Sequence, residues 1–528
     1  MLRRLLAVLL AILLLSPAWL GGTGLTLLVA LVPLLWISTS VENSRRGWWT
    51  MFGWAMLTFV GWNVATVWWI WHATPVGPIA ATLVSTTLNM LAFMLFHSVS
   101  KKASKPLAYT LLVAGWIATE YWYTVGEISW PWLILGNGFS HDVWAVQWYE
   151  YTGVFGGSLW VLVCNLLIFE ALRARQSLVH WVWAGCGVAL PLLASLVIGA
   201  SWKPADEGCV QVSVIQPNVD CYDKFHGDEV RQERNIIDLM GQLPATTDLI
   251  LLPETAVPGY YWEPALSTSL QGSELAPFWA ELRDSLRQNH PEAMLVAGTN
   301  TLRHYAMGAQ PRTARALPFG GGYYDNFNSA VGLDSAGLHA IHHKGRLVIG
   351  VENTPSVIFD LLDFLVIDLG GVVGQIGVGQ HGTALSHRDV KVGPAICYEG
   401  LYGDFFGDFV RRGAQVMAII SNDGWWEDTP GYKHLFSISR LRAVEHRRAI
   451  ARSANTGQSG FISPRGEVGE SLGWEERGVI AACLPLNSSL TLYTRYGDYI
   501  GRIAEYVMLL CLLYYVAYRV KRRNYLVP

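Results

Sequence analysis

Long stretches without a single charged side chain constrain this chain more than any other feature. No Asp, Glu, Lys or Arg occurs from residue 5 to 41, from 47 to 100, or from 176 to 202. A transmembrane helix needs about 20 consecutive apolar residues, and these stretches meet that length. Only 15% of all residues are charged, against about 25% in a typical soluble domain. The pattern excludes an ordinary soluble enzyme and a disordered chain, and the net charge of −3 predicts no nucleic-acid partner.

The apolar stretches predict a membrane α-helical bundle of about eight transmembrane helices. Seven precede residue 203 and one lies near the C-terminus, at residues 5–20, 24–38, 50–71, 77–98, 107–124, 152–171, 180–199 and 501–518. The first stretch follows Arg3 and Arg4 and would also suit a secretory signal peptide. A second apolar stretch begins almost at once, which favours a retained helical hairpin.

Basic residues predict the orientation, because Lys and Arg are enriched in cytoplasmic loops. With these spans, the basic residues before residue 203 and in the C-terminal tail all fall on one side: Arg3, Arg4, Arg45, Arg46, Lys101, Lys102, Lys105, Arg173, Arg175, Arg519, Lys521, Arg522 and Arg523. We expect both termini in the cytoplasm and, in a Gram-negative cell, the protein in the bacterial inner membrane. The alternative, that these are merely solvated loop residues, does not explain the consistent alternation.

Residues 203–499 predict a separate α/β domain on the periplasmic side, between the transmembrane region 1–202 and a final span with a basic tail at 500–528. Short apolar runs bounded by turn residues predict strands at 209–216, 249–253, 294–298, 328–333, 391–397 and 416–421. Helical periodicity predicts helices near 226–242, 274–289 and 432–453. Insertions at 257–272 and 354–385 are apolar and Gly-rich, as lids over a site often are.

Three residues of this domain follow apolar runs and can do chemistry: Glu254, Lys344 and Cys397. Taken singly, each has a more common structural explanation, namely a capping carboxylate, a solvated lysine and an inert buried cysteine. Taken together, they lie in one domain at predicted strand ends, where open α/β sheets carry their sites. Their combination predicts an active site.

The remaining cysteines give a weaker signal, and seven in 528 residues do not form a disulfide framework. Three lie in predicted spans: Cys164, Cys186 and Cys511. Cys209 and Cys221 could pair in an oxidising compartment, although unpaired buried cysteines are the more common outcome, and Cys483 has no distinctive neighbours.

The ordered Glu, Lys and Cys resemble the triad of the nitrilase superfamily, and nearly the whole chain is similar to the apolipoprotein N-acyltransferases. Supporting motifs are Gln216-Pro217-Asn218, Tyr324-Asp325-Asn326-Phe327-Asn328-Ser329, Ser421-Asn422-Asp423-Gly424-Trp425-Trp426, Arg447-Arg448-Ala449-Ile450-Ala451-Arg452, Asn455-Thr456-Gly457 and Thr494-Arg495-Tyr496-Gly497-Asp498. The resemblance implies a nitrilase-like αββα sandwich for the domain.

Three departures from the family pattern leave the triad intact. The family usually reads Leu-Val-Pro-Phe-Gly-Glu where this chain has Leu347-Val348-Ile349-Gly350-Val351-Glu352, so the path of the loop after Lys344 stays open. Leu252 stands where the family often has Trp, and Gln216-Pro217-Asn218 replaces Gln-Gly-Asn.

The resemblance implies the last step of bacterial lipoprotein maturation. Cys397 would take an acyl chain from a phospholipid, the sn-1 chain of phosphatidylethanolamine by analogy, as a thioester. The α-amine of an S-diacylglyceryl-cysteine on an apolipoprotein would then accept it. Glu254 would be the general base and Lys344 the oxyanion-stabilising cation, with Glu399 and Glu352 orienting Lys344 or the amine.

Further expectations concern substrate contacts and partners. Aromatic residues near the motifs could line an acyl pocket, although core or lid packing explains them equally well: Tyr398, Trp425, Trp426, Tyr261 and Trp262. No metal or nucleotide cofactor is expected, since no ligand cluster or Gly-rich phosphate loop stands out. The partners are a phospholipid, a diacylglyceryl apolipoprotein and the bilayer, and the protein is expected to be a monomer.

Two other functions remain open from the residues alone. A membrane-tethered amidase or nitrilase would share the triad but use water as its second substrate, and the long apolar insertions count against it. A transporter or assembly scaffold would line a path with intramembrane ionisable residues. Glu120 and Glu170 are the few candidates for such a path, and both lie near predicted span ends.

Overall fold

Two compact units make up the chain in this computed structural model, which describes residues 1–222, 224, 227–263, 276–318, 320–353 and 376–524. One unit comprises Met1–Trp202 and the chain from Tyr496 onward, and the other comprises Lys203–Arg495. Residues 264–275 and 354–375, which include more than half of each predicted lid insertion, lie outside the described residues.

Fourteen helices of the α type occur in the described residues. In chain order they are α1 (Leu2–Leu15), α2 (Leu27–Ala30), α3 (Val32–Ser40), α4 (Arg45–Val67), α5 (Gly77–Ser100), α6 (Lys105–Val125), α7 (Tyr149–Arg173), α8 (Leu178–Ser201), α9 (Glu229–Met240), α10 (Pro277–Asn289), α11 (Gly403–Arg411), α12 (Pro430–His446), α13 (Leu492–Tyr496) and α14 (Tyr499–Asn524). The first eight and α14 belong to the unit that contains the termini.

The predicted α-helical bundle is confirmed, because each of the eight predicted spans overlaps a helix. Within the described ranges, five helices are long and apolar enough to cross a membrane: Leu2–Trp19, Gly77–Ser100, Tyr149–Arg173, Leu178–Ser201 and Tyr499–Lys521. The apolar segment Gly24–Ser40 is shorter, and α4 and α6 extend over 23 and 21 residues. Polar contacts also join the bundle, since Trp122 of α6 donates to Glu505 of α14 at 3.1 Å.

The acidic residues of the bundle are engaged in its own structure. Glu120 is buried and accepts hydrogen bonds from the indole of Trp116 at 3.1 Å and from the backbone N–H of Leu135 at 2.8 Å. Glu170 forms a salt bridge with Lys105 at 3.0 Å. These contacts give both carboxylates a structural explanation and weaken the transport alternative.

Two β-sheets form the centre of the other unit. The strands are β1 (Cys209–Gln216), β2 (Leu249–Leu251), β3 (Tyr260–Trp262), β4 (Met294–Tyr305), β5 (Arg315–Ala316), β6 (Tyr323–Leu333), β7 (Leu338–His343), β8 (Leu385–His387), β9 (Val390–Ile396), β10 (Val416–Ser421), β11 (Ile450–Ala454), β12 (Ser459–Ile462), β13 (Val468–Leu472) and β14 (Gly478–Pro485). The first sheet has the order β14-β1-β2-β4-β6-β5, with β3 on β4 and β7 on β6. The second has the order β13-β12-β11-β10-β9-β8.

The sheets face each other, and helices cover their outer sides. The Ser453 hydroxyl of β11 donates to the Ile215 carbonyl of β1 at 2.8 Å, across the two sheets. Helices α9 and α10 pack a buried apolar face against the first sheet, and α11 and α12 contact the second. This four-layer arrangement confirms the αββα prediction, and all six predicted strands form.

Two sequence-based expectations are corrected. The helix predicted over 432–453 ends at His446, because Arg447 adopts a left-handed backbone with φ 49°, and residues 450–454 pair in parallel with β10 instead. Cys209 forms a disulfide with Cys483, not with Cys221, because β1 and β14 are paired neighbours in the first sheet.

Candidate active site

Glu254 lies directly beyond the end of β2 and is nearly enclosed, with 6% of its surface exposed. The backbone around Glu254 packs closely against Gly298 of the neighbouring strand β4. A Cβ added at Gly298 would lie 2.5 Å from the Pro253 carbonyl oxygen and 2.6 Å from the Glu254 Cα, so only glycine leaves room for this packing. Thr255, the next residue, has a left-handed φ of 48°. Such strained backbone persists only where surrounding contacts hold it, and it is common at functional sites.

Lys344 lies just after β7 and joins two carboxylates. Its ammonium is 2.8 Å from Glu254 Oε1 and 2.8 Å from Glu352 Oε1. The Asn328 amide donates to the same two oxygens, at 2.7 Å and 3.1 Å. Lys344 is 1% exposed, so water screens these charges little. The structure therefore brings Glu254, Lys344 and Glu352 together.

Cys397 follows β9 and is buried, with a left-handed φ of 49°. This conformation turns the chain sharply at the sulfur before the short helical turn that begins there. The charges of Glu254 and Lys344 both act on the thiol, as does that of Asp423. Asp423 is itself paired with Arg452 through two contacts of 2.8 Å, and both side chains are fully buried.

The three predicted triad members have complementary protonation states. Burial alone would raise the pKa of Glu254, but the Lys344 charge and hydrogen bonds outweigh it and hold the pKa below its usual value. Burial likewise opposes the charge on Lys344, yet Glu254 and Glu352 hold its pKa well above 10.5. Burial raises the pKa of the Cys397 thiol, and the Glu254 charge raises it further. The site at neutral pH therefore combines a carboxylate, an ammonium and a neutral thiol.

Glu399 fixes the backbone on either side of the site and does not contact the Lys344 ammonium. Its carboxylate accepts the backbone N–H of Gly345 at 2.6 Å and that of Ile396 at 2.6 Å. The imidazole of His342 lies 3.1 Å from the same carboxylate, and both side chains are fully buried. Because Gly345 follows Lys344 and Ile396 precedes Cys397, this one carboxylate sets the spacing of the lysine and the cysteine.

The predicted substrate-contacting aromatics have different surroundings. Tyr398 is buried beside Tyr402, with ring centroids 5.4 Å apart. Tyr261 packs against Trp279 of the helix-covered core at 5.8 Å, which gives it a structural role.

Trp262 is 37% exposed and lies edge-on to Tyr324. Trp425 and Trp426 end a short helical turn after β10, half-buried, and Trp425 contacts Tyr222 at 5.5 Å. These tryptophans keep partly open faces that suit an apolar chain.

Sequence reasoning missed several residues that build the site. Asn328 belongs to a quoted motif, but its bridging of two carboxylates depends on the pairing of β4, β6 and β7. Lys224 was not singled out, although its ammonium lies 2.6 Å from the Glu254 carbonyl oxygen. No group of three or more His, Cys, Asp or Glu side chains suited to a metal ion occurs in the described part of the chain.

Comparison with known families gives two matches. Residues 230–490 match the carbon-nitrogen hydrolase family, and residues 7–167 match the apolipoprotein N-acyltransferase N-terminal domain. An apolipoprotein N-acyltransferase of Chlorobaculum tepidum is 30% identical over 496 residues, which cover 90% of this chain and 89% of that protein. Its counterpart in Gloeobacter violaceus is 26% identical and covers 93% of this chain and 90% of its own length.

Solved structures of nitrilase-superfamily proteins also match. Nit3 of Saccharomyces cerevisiae is 18% identical with a TM-score of 0.37, covering 53% of this chain and 90% of its own. An amidase of Nesterenkonia is 16% identical with a TM-score of 0.36, covering 55% of this chain and 95% of its own.

Proposed function

This chain belongs to the apolipoprotein N-acyltransferase family, and we propose that it moves an acyl chain from a phospholipid to an apolipoprotein. The donor is phosphatidylethanolamine, through its sn-1 ester, and the acceptor is the α-amine of an S-diacylglyceryl-cysteine. The observation that carries this proposal is the buried contact of Glu254 with Lys344, whose two charges act on the Cys397 thiol.

In the first step, the Cys397 sulfur attacks the ester carbonyl carbon while its proton passes to the Glu254 carboxylate. A carboxylate with a lowered pKa beside a thiol with a raised pKa supports transfer during the attack rather than a preformed thiolate. The tetrahedral intermediate then expels the glycerol oxygen, which takes the proton back from Glu254. The products are a Cys397 thioester and a lysophospholipid.

Lys344 stabilises the negative oxygen of that intermediate. An ammonium has three N–H donors, and contacts of 2.8 Å to Glu254 and Glu352 account for two of them. The third is available for the oxyanion, and the backbone N–H following Cys397 is a second candidate donor. Removing a single donor of this kind typically slows catalysis about 10²- to 10³-fold.

In the second step, the α-amine of the diacylglyceryl-cysteine attacks the thioester carbonyl carbon. Glu254 accepts one amine proton and returns it to the departing sulfur, so that an amide and the free thiol result. Thioesters react readily with amines, which suits a cysteine better than a serine as the carrier. Trp262, Trp425 and Trp426 are the residues we propose to contact the acyl chain.

The helices and the disulfide support the proposed membrane location. Apolar helices of 18 to 25 residues suit a protein whose two substrates are both anchored in a bilayer. The Cys209–Cys483 disulfide supports an oxidising compartment for the α/β unit, because such bonds are rare in the bacterial cytosol. We therefore propose a bacterial inner-membrane protein with a periplasmic catalytic unit, cytoplasmic termini and a monomeric active state.

The test is to incubate the purified full-length protein with acyl-labelled phosphatidylethanolamine. We expect a labelled adduct that hydroxylamine releases and that Cys397→Ser lacks. Adding a diacylated lipopeptide with a free N-terminal amine should discharge the label onto the peptide, whereas an N-acetylated peptide serves as the matched control. Release into water at the same rate with either peptide would contradict acyl transfer and favour hydrolysis.

A further inference from the structure

Two carboxylates share one ammonium in the candidate site. Glu254 Oε1 and Glu352 Oε1 both lie 2.8 Å from the Lys344 ammonium, and both accept a hydrogen bond from Asn328. Two carboxylates confined to one site normally do not both ionise, because their repulsion raises the pKa of one of them. With Lys344 as its only cation, this buried pair would leave Glu254 prone to take up a proton.

Uptake of that proton would stop the proposed chemistry. Glu254 can accept the thiol proton only if its carboxylate begins ionised. Its Oε1 binds Lys344 and its Oε2 accepts the Asn422 backbone N–H at 3.0 Å, which favours the ionised form. These contacts leave the cluster with one positive and two negative charges, so a second cation is needed to balance it.

Lys224 provides that cation from the loop after β1. It is 6% exposed, and its ammonium donates to the Glu254 carbonyl oxygen at 2.6 Å. The Gln232 side chain of α9 holds the Lys224 carbonyl at 3.2 Å. The ionisable groups that act on Lys224 in the described residues are Glu254 and the Cys221 thiol. Burial lowers the pKa of Lys224 to about 8 against the opposing Glu254 charge, so the ammonium is charged at pH 7.

We propose that Lys224 is a positioning residue for Glu254: it supplies a second positive charge to the cluster and so keeps the Glu254 carboxylate ionised. This inference rests on the proposed role of Glu254 as the base. With Lys224 the cluster has two positive and two negative charges, and the neighbouring Asp423–Arg452 pair is neutral by itself. When the thiol proton moves to Glu254, the negative charge moves to the oxyanion and the balance is kept.

The test is the pH dependence of Cys397 alkylation by iodoacetamide, followed by peptide mass spectrometry on the full-length protein in detergent. At acidic to neutral pH the reactive sulfur arises by proton transfer to Glu254, so the rate falls where Glu254 becomes protonated. We expect this acid limb to move up by about 1 to 3 pH units in Lys224→Met and in Lys224→Gln. Lys224→Arg keeps the charge and should keep the limb in place, and Glu254→Gln should remove the limb.

The variants distinguish an effect of the Lys224 charge from a purely structural role of its side chain. If Lys224→Met and Lys224→Gln retain the wild-type limb, the proposal is overturned and Lys224 only supports the Glu254 backbone. Thermal unfolding of the three variants identifies any that fail to fold, and the glutamine variant keeps a donor for the Glu254 carbonyl. Alkylation needs no lipid, so a wild-type protein that forms no acyl adduct would contradict the proposed function without affecting this test.

Discussion

At the scale of single residues, the Cys397 thiol combines burial with a negative neighbour, and both raise its pKa above 9.0. A raised pKa favours the protonated sulfur, so the thiolate accumulates by direct ionisation only above that value. We predict slow alkylation at pH 7 and a rate that still rises steeply beyond pH 9, measured by mass spectrometry of the Cys397 peptide. Full thiolate reactivity at pH 7, as in an ion-paired cysteine, would contradict the neutral resting thiol.

Glu399 is the second residue whose contacts make a prediction. Glu399→Gln keeps the shape but replaces one acceptor oxygen by an NH₂ group, which faces the backbone N–H donors of Gly345 and Ile396. We expect the unfolding free energy to fall by roughly 2 kcal/mol and acyl-enzyme formation to slow about 10²-fold. A time course of acyl labelling measures the rate, and thermal unfolding measures the stability. Glu470→Gln, at an exposed position, is the control. A wild-type rate would show that this carboxylate does not set the spacing.

At the scale of elements, β4 positions the Glu254 segment through Gly298. Gly298→Ala would place a Cβ 2.5 Å from the Pro253 oxygen and the Thr255 nitrogen, so the segment must move. A displacement of about 1 Å at a reacting group can cost about 10²-fold in rate. We predict such a loss in acyl-enzyme formation, whereas Gly469→Ala on β13, whose nearest atom is 3.7 Å away, should retain activity. Equal activity of both variants would remove the constraint we assign to Gly298.

The pairing of β1 with β14 carries the disulfide, which joins cysteines 274 positions apart in the chain. Removing a native disulfide typically costs about 2 to 5 kcal/mol. We expect the double variant Cys209→Ala/Cys483→Ala to unfold at a lower temperature than the parent protein. Dithiothreitol should lower the unfolding temperature of the parent protein and leave that of the double variant unchanged. Cys221→Ala should retain that dependence. A parent protein that dithiothreitol does not affect would contradict a bond that stabilises the fold.

At the scale of the whole molecule, the alternation of basic residues predicts the topology. Met307 is 79% exposed in the α/β unit, whereas Arg175 lies in the turn between α7 and α8. We predict that Met307→Cys reacts with a membrane-impermeant maleimide in intact spheroplasts, and that Arg175→Cys reacts only after permeabilisation. Labelling of the parent protein gives the background from its native cysteines. The reverse labelling pattern would place the catalytic unit in the cytoplasm and contradict the proposed function.

Elements were predictable where the pattern was local and strong. The eight apolar spans and the six apolar strands all formed, because both signals depend on hydrophobicity over a few consecutive residues. The end of α12 was not predictable, because no Gly or Pro interrupts the chain between His446 and Ala454. Pairing with β10 decides that residues 450–454 form a strand.

The sequence by itself determined that this chain enters a membrane and brings one glutamate, one lysine and one cysteine to strand ends. These properties depend on residue types in local order, which is why Glu254, Lys344 and Cys397 could be proposed as a site. Only the tertiary structure decided that Lys344 holds two carboxylates, that Glu399 binds backbone instead, and that Lys224 lies against Glu254. Those contacts join residues 8 to 90 positions apart, and they exist only once strand pairing has fixed which chain segments are neighbours.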